Sequence, residues 1–313
     1  MRLALIIWCL IFSIDKQARG QQQQGGFKFF PFPNVQFDFD RELPFKQADF
    51  GDDFLRQLVG DRDEQKQQLA RIKVSKADEK KVGENQFRSY AQHLNSQRIK
   101  LTNQGKDVVY LRQLVEKLHP LMTNKNRYES ITIFVADSPL TDARSFPGGK
   151  VIVYRGLLKF VANEAALVGI LGHELSHIDR QHQLEQFKNS LLAQDALSKG
   201  GQNFGQFAGF GQLMMKSFMT PYALDQEKEA DSDGCRWAFQ AGYDPHEMAE
   251  VFRRLSIRDK KTQIPVPSFL RSHPYHIDRF TAIRDSSRKL VAAEPNKKLI
   301  TGRENLRKRK PHQ

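Results

Sequence analysis

Apolar residues through the middle of this chain fall mostly into helical periods. Ala166, Leu167, Ile170, Leu171, Leu175 and Ile178 recur at the spacing of one helix face. Asn163 reads as the N-cap of that helix and Glu164 as an acid in its first turn. A second helical pattern opens at Asp225 and runs through Ala230, Gly234, Cys235 and Ala238. It stops where Gly242 supplies the C′ residue and Pro245 ends the run. Upstream, Phe87, Tyr90 and Leu94, then Val108, Leu111, Leu114, Val115 and Leu118, predict two amphipathic helices. Ile131 to Ala136 and Val151 to Tyr154 are different: short, β-branched and aromatic, they read as strands. Gly148-Gly149 between them permits a tight turn, so a hairpin is expected. The pattern predicts an α+β fold, mostly helical, with a small antiparallel sheet.

Both ends of the chain depart from this pattern. After Arg2, residues 3–14 form an apolar run too short to span a bilayer but suited to a signal-peptide core. Residues 1–20 are therefore expected to direct export, to a periplasmic or secreted location, or to anchor the chain if uncleaved. Cleavage would leave Cys235 as the single cysteine and exclude an intramolecular disulfide. Residues 21–53 are Gln/Gly-rich and then Phe-rich without a period, as in a linker or arm. Residues 54–81 read as a charged helical extension. The glycine- and methionine-rich stretch 199–222 reads as a lid, a membrane-touching loop or a packed segment. The net charge is +13, and much of it lies in residues 291–313, expected to be a disordered basic tail. The export signal, and the lack of a nucleic-acid motif around that tail, argue against nucleic acid. Peripheral contact with anionic membrane lipid or envelope polymer fits better. The length suits one catalytic domain, residues 82–290, with extensions.

The chemistry is concentrated on the first long helix. His173 and His177 are four residues apart, so their imidazoles share a face and can grip one metal ion. Glu174 sits beside the first histidine, placed to act as general base on a metal-polarised water. Such a helix needs a third ligand. Glu227 at the start of the second helix completes a His₂Glu zinc set, and Asp231, four residues on, can accept the outer N–H of a ligand histidine. Glu229 points elsewhere and is expected to be solvated.

These motifs resemble metallopeptidase family forty-eight, the HtpX-like and BepA-like relatives of the CAAX prenyl protease. That family pairs a HExxH helix with a downstream E-x-x-A-D helix, and Glu227 to Asp231 reads E-K-E-A-D. Its histidine five residues after the second ligand is present as His182. Its P-G-G strand appears as Pro147-Gly148-Gly149-Lys150-Val151-Ile152-Val153-Tyr154, and its late S/T-H-P motif as Ser272-His273-Pro274 ending on Arg279. The chain departs from the family at Asp142-Ala143-Arg144-Ser145-Phe146 and at Tyr222-Ala223-Leu224, neither of which includes a ligand or the base. The resemblance implies a gluzincin fold whose sheet lies beside the HExxH helix. It implies that the strand around Phe146, Pro147, Gly148, Gly149, Lys150 and Val151 borders the cleft, where an exposed edge would bind an extended peptide. Beside that of an ordinary loop histidine, two roles are open for His273, the first of them implied by the resemblance. Either the imidazole occupies the open zinc position in a resting state, or His273 or Arg279 donates to the developing oxyanion.

The expected function is a zinc-dependent endopeptidase holding one Zn²⁺ and acting on unfolded or extended protein, in envelope quality control or processing. A peptidase devoted to one processed substrate fits the same residues. A zinc-stabilised chaperone-like or binding module is the competing class, and Glu174 argues against it, because a purely structural zinc site needs no base.

Overall fold

The computed structural model describes residues 62–199, 221–262, 273 and 277–312. The expected signal segment, the Phe-rich arm and almost all of the expected lid lie outside them. No helix among the described residues is long and apolar enough to cross a membrane.

Helices α1 (Arg62–Arg71) and α2 (Lys76–Ser96) come first, then strand β1 (Leu101–Thr102) and helix α3 (Lys106–Leu118). The sheet continues with β2 (Thr132–Ala136), β3 (Ala143–Phe146) and β4 (Lys150–Tyr154). Helices α4 (Arg155–Phe160), α5 (Glu164–Asp179), α6 (His182–Lys199), α7 (Leu224–Gln240), α8 (His246–Thr262), α9 (Ile277–Ala293) and α10 (Arg303–Lys308) follow. Ser75 caps α2, its hydroxyl accepting from the Asp78 N–H at 3.1 Å. Helix α2 runs through residue 81, so the expected boundary there falls inside one helix. Buried Glu79 ties the helix to the rest of the fold by accepting from Arg127 at 2.5 Å and from the Tyr128 hydroxyl.

The sheet is mixed rather than antiparallel. Its order is β1-β2-β4-β3, with β1/β2 and β3/β4 antiparallel and β2/β4 parallel, Thr132 opposite Lys150 and Ala136 opposite Tyr154. The hairpin expected between residues 131–136 and 151–154 does not form. A three-residue turn can join only adjacent segments, so the hairpin is β3 to β4, with Gly148 (φ 78°) and Gly149 (φ 85°) in the left-handed region its turn demands. Lys150 and Val151, expected on the exposed edge, lie on β4, which is paired on both sides. Among the described residues the sheet ends on that side at β3.

Helix α5 is more buried than an amphipathic stripe requires: every residue from Glu164 to Asp179 is buried. Its N-cap is as expected, Asn163 Oδ1 accepting from the Ala166 N–H at 2.9 Å. Helices α7 and α8 and strand β3 pack around it. The α5–α7 crossing is close because Gly234 faces Gly172; a Cβ on Gly234 would stand 2.8 Å from the Gly169 carbonyl oxygen and 3.0 Å from the His173 nitrogen.

The C-terminal segment is ordered and docked, contrary to the disorder its charge suggests. Ile300 bridges to Tyr243, and Leu306 of α10 enters the core. Arg309 donates to Asp107 at 2.8 Å, and the His312 N–H donates to Glu164 at 2.9 Å. A few apolar anchors and backbone bonds to the start of α5 outweigh the loss of chain entropy.

Candidate metal centre

Helix α5 presents His173 and His177 one turn apart, with Glu174 beside them, and all three side chains are buried. The crossing helix α7 brings Glu227 to them: His173 Nε2 is 3.6 Å and His177 Nε2 3.7 Å from its carboxylate. His273 enters from the segment before α9. One ligand atom from each of His173, His177, Glu227 and His273 lies within 4.8 Å of all the others. The spacing of the HExxH and E-x-x-A-D segments thus brings together the residues it singled out.

The expected supporting residues meet here too. Asp231 Oδ1 lies 3.0 Å from His173 Nδ1, so this histidine's outer N–H is directed to a carboxylate. Arg279, fully buried, donates to both oxygens of Asp231 at 2.8 Å and reaches Glu227 Oε2 at 2.5 Å. Burial pushes the Asp231 carboxyl up, but Arg279 more than reverses this and holds it below the usual carboxylate range.

His273 sits between two carboxylates, Nδ1 2.9 Å from Glu227 Oε1 and Nε2 3.2 Å from Glu174 Oε1. Burial alone would lower its pKa; Glu227 and Glu174 overcome that and push it up to about 10. Burial likewise raises the Glu174 carboxyl, and His273 turns the balance to a value below the ordinary one. His177 moves the other way: burial and the adjacent His173 hold it neutral, the form that binds a metal.

The donor chemistry fits a divalent transition metal. Two neutral-capable imidazoles and a carboxylate, all on packed helices, match a zinc set. Both carboxylate oxygens of Glu174 are buried without a well-formed hydrogen bond, which is costly unless a reacting group or cation is their partner.

Two contacts escaped the sequence reading. Tyr222 stacks on His177, with ring centroids 3.7 Å apart and planes at 16°. Only its place just ahead of the Glu227 helix hinted at it. Burial, with Glu174 and Glu227 nearby, keeps its phenol protonated far above neutral pH. Glu229 is solvent-exposed as expected, and its carboxylate also lies 3.2 Å from His182 Nε2. Beside the site, Ser145 of β3 accepts from Gln183 Nε2 at 2.8 Å, so the edge strand runs next to the α5–α6 corner. Of the strand residues expected at the cleft, Phe146 ends β3 and Pro147-Gly148-Gly149 form the turn against α2, where the Pro147 carbonyl abuts Gly83.

Comparison with known proteins agrees with this geometry. The mitochondrial metalloendopeptidase OMA1 of Schizosaccharomyces pombe is 27% identical over 160 residues, covering 49% of this chain and 45% of that protein. The beta-barrel assembly-enhancing protease of Escherichia coli K12 is 23% identical over 168 residues, covering 50% of this chain and 34% of that protein. The mitochondrial metalloendopeptidase OMA1 of Bos taurus is 28% identical over 166 residues, covering 47% of this chain and 30% of that protein. The chain spans less than half the length of each of these relatives. The profile of peptidase family M48 aligns with residues 108–287, more than half of the chain, and takes in both metal-site helices, His273 and Arg279. On that match, the chain belongs to peptidase family M48.

Proposed function

We propose that this chain is a zinc-dependent endopeptidase. The observation that carries this reading is a buried carboxylate, Glu174, set against a cluster of two imidazoles and a second carboxylate. His173, His177 and Glu227 would hold the zinc. Bound there, the ion supplies Lewis acidity toward the scissile carbonyl and makes water acidic enough to react at neutral pH.

The protein's own groups do the rest. Glu174, ionised at neutral pH, takes the proton of the attacking water on a carboxylate oxygen and returns it to the leaving amine nitrogen. Asp231 and Arg279 fix the orientation of His173 and Glu227. Strand β3, which ends the sheet among the described residues, runs beside the α5–α6 corner, and recognition of an extended segment there would rest on main-chain hydrogen bonds with loose side-chain selection. That suits unfolded or unassembled protein. The relatives' names, a protease that enhances β-barrel assembly and a mitochondrial metalloendopeptidase, support a role in membrane-associated protein quality control. An exported location belongs to the same proposal, as does contact with anionic lipid through the exposed Arg303, Lys308 and Lys310.

His273 is read as a resting-state ligand. Its imidazole converges with the three other donors, and Arg279, the rival oxyanion donor, is engaged with Asp231 and Glu227.

The test is Glu174→Gln. Zinc content and thermal stability should stay at wild-type levels, while cleavage of an unfolded protein substrate falls by about 10²–10⁴-fold, the range for removing a general base. Loss of zinc along with activity would make Glu174 a ligand and overturn the assignment.

A further inference from the structure

The outer nitrogens of the two helix-borne histidines are held in different ways. His173 Nδ1 faces the Asp231 carboxylate directly. His177 Nδ1 faces another imidazole, lying 2.8 Å from His182 Nδ1. The far nitrogen of His182, Nε2, lies 3.2 Å from Glu229 Oε2. Two imidazoles meeting nitrogen to nitrogen form a hydrogen bond only when one carries the proton and the other does not.

The ends of this chain of groups decide the direction. With a metal on Nε2, a neutral His177 keeps its single proton on Nδ1 and must donate. At the other end Glu229, as a carboxylate, can only accept. His182 must therefore carry its proton on Nε2 and offer a lone pair at Nδ1. Every link is satisfied by one tautomer, and by no other arrangement of neutral rings.

We propose that His182 and Glu229 form a relay that positions His177 for the metal, His182 accepting from His177 and Glu229 fixing the tautomer of His182. The proposal rests on the reading of His177 as a ligand. Three further observations support it. The turn between α5 and α6 places Gln181 at φ 61°, a conformation unfavourable for a residue other than glycine, and this turn brings His182 back over His177. Glu229 is half exposed, yet Arg180 lies 3.2 Å from the same carboxylate oxygen that faces His182. Arg180 is in turn held by Asp233, its Nε 2.6 Å from Oδ2. A surface carboxylate is thus aimed inward. Tyr222 covers the face of His177 while His182 holds its edge, so the ring is fixed in both directions.

The experiment measures zinc affinity of the full chain by competition with a chromophoric chelator. His182→Phe fills the space without an acceptor and should weaken zinc binding about 10- to 100-fold, the usual range for losing an outer partner of a metal ligand. His182→Gln, whose amide oxygen can accept, should recover most of that loss. Glu229→Ala should weaken binding toward the low end of that range, and should cost nothing more in the His182→Phe background, because Glu229 acts only through His182. Nitrogen-15 spectra of the zinc-loaded wild type should show His182 protonated on Nε2. Additive losses in the double variant, or His182 protonated on Nδ1, would overturn the relay. Should His182→Phe fail to fold, the half-exposed Glu229→Ala carries the same test. A wild type that binds zinc, with both variants unchanged, overturns the relay alone; a wild type that binds none overturns the parent reading with it.

Discussion

Glu227 has two duties, and one substitution removes both. It faces the imidazole pair, and it forms an ion pair with a fully buried guanidinium. Glu227→Ala should empty the metal site on dialysis against a mild chelator, and full zinc occupancy after that treatment would eliminate it as a ligand. Some stability should go too, since Arg279 would lose a carboxylate partner in a site where uncompensated charge is costly. His273→Ala discriminates its two proposed roles by sign. A resting-state ligand predicts faster basal cleavage of an unfolded substrate; an oxyanion donor predicts slower turnover at unchanged zinc content. Asp233 gives a pH prediction. Burial opposes its ionisation, but Arg180, Ser176 and Arg236 overcome this and hold it below the usual carboxylate range. A depressed carboxyl stabilises the fold fully above the ordinary carboxylate pKa, and that contribution fades as pH falls through the folded value. Asp233→Asn should therefore cost about 1–2 kcal/mol at neutral pH, and the gap to wild type should close below about pH 4. Denaturant unfolding across pH checks it; a gap constant with pH would assign the loss to packing. At this scale His173, Glu174, His177, Glu227 and Asp231 could be found from helical spacing, which puts them on shared faces, while His273 and Arg279 come only from the resemblance of the S/T-H-P segment to the family's motif. Tyr222 and Glu229 could not. Their parts depend on how the chain enters α7 and on the turn into α6, and no local pattern encodes either.

Among the elements, the α5–α7 crossing sets the distance between the two halves of the metal set. Gly234→Ala would drive a Cβ against the Gly169 carbonyl and the His173 amide, both backbone atoms that cannot rotate away. The expected cost is about 1–3 kcal/mol of overpacking, together with weaker zinc binding as Glu227 is displaced. Thermal unfolding and chelator competition read the two effects, and wild-type zinc affinity in this variant would show that the crossing does not set the ligand spacing. The same two helices were the easiest to read from sequence, since a capping Asn, a C′ glycine and a sustained period all agree. Strand β3 was the hardest. Ala143-Arg144-Ser145-Phe146 contains no β-branched residue and is one turn from the glycine pair, so its strand character comes from pairing with β4 and not from its own composition. Without it, β4, a parallel neighbour of β2, reads as its hairpin partner.

Across the whole molecule, the catalytic helix is closed at its start by residues from the far end of the chain. Glu164 is buried under the Tyr110 hydroxyl at 2.8 Å, the Tyr243 hydroxyl at 2.9 Å and the His312 N–H. The Glu164 and Ala165 N–H groups donate to Gly302 and Thr301. Composition hid this arrangement, because a cluster of Arg and Lys outweighs Ile300 and Leu306 in any local average. Leu306→Ala should lower stability by about 2 kcal/mol and expose residues 300–312 to protease before the rest of the domain unfolds. Cleavage there at the wild-type rate would mean that the docking is not held by this side chain. The clamp also orders events during synthesis. His312 lies 148 residues beyond its partner Glu164, so a ribosome has built the metal helix long before it delivers this bond to its first turn. The helix that carries Glu174, His173 and His177 is thus made without this bond at its start, and gains it only when residue 312 is added.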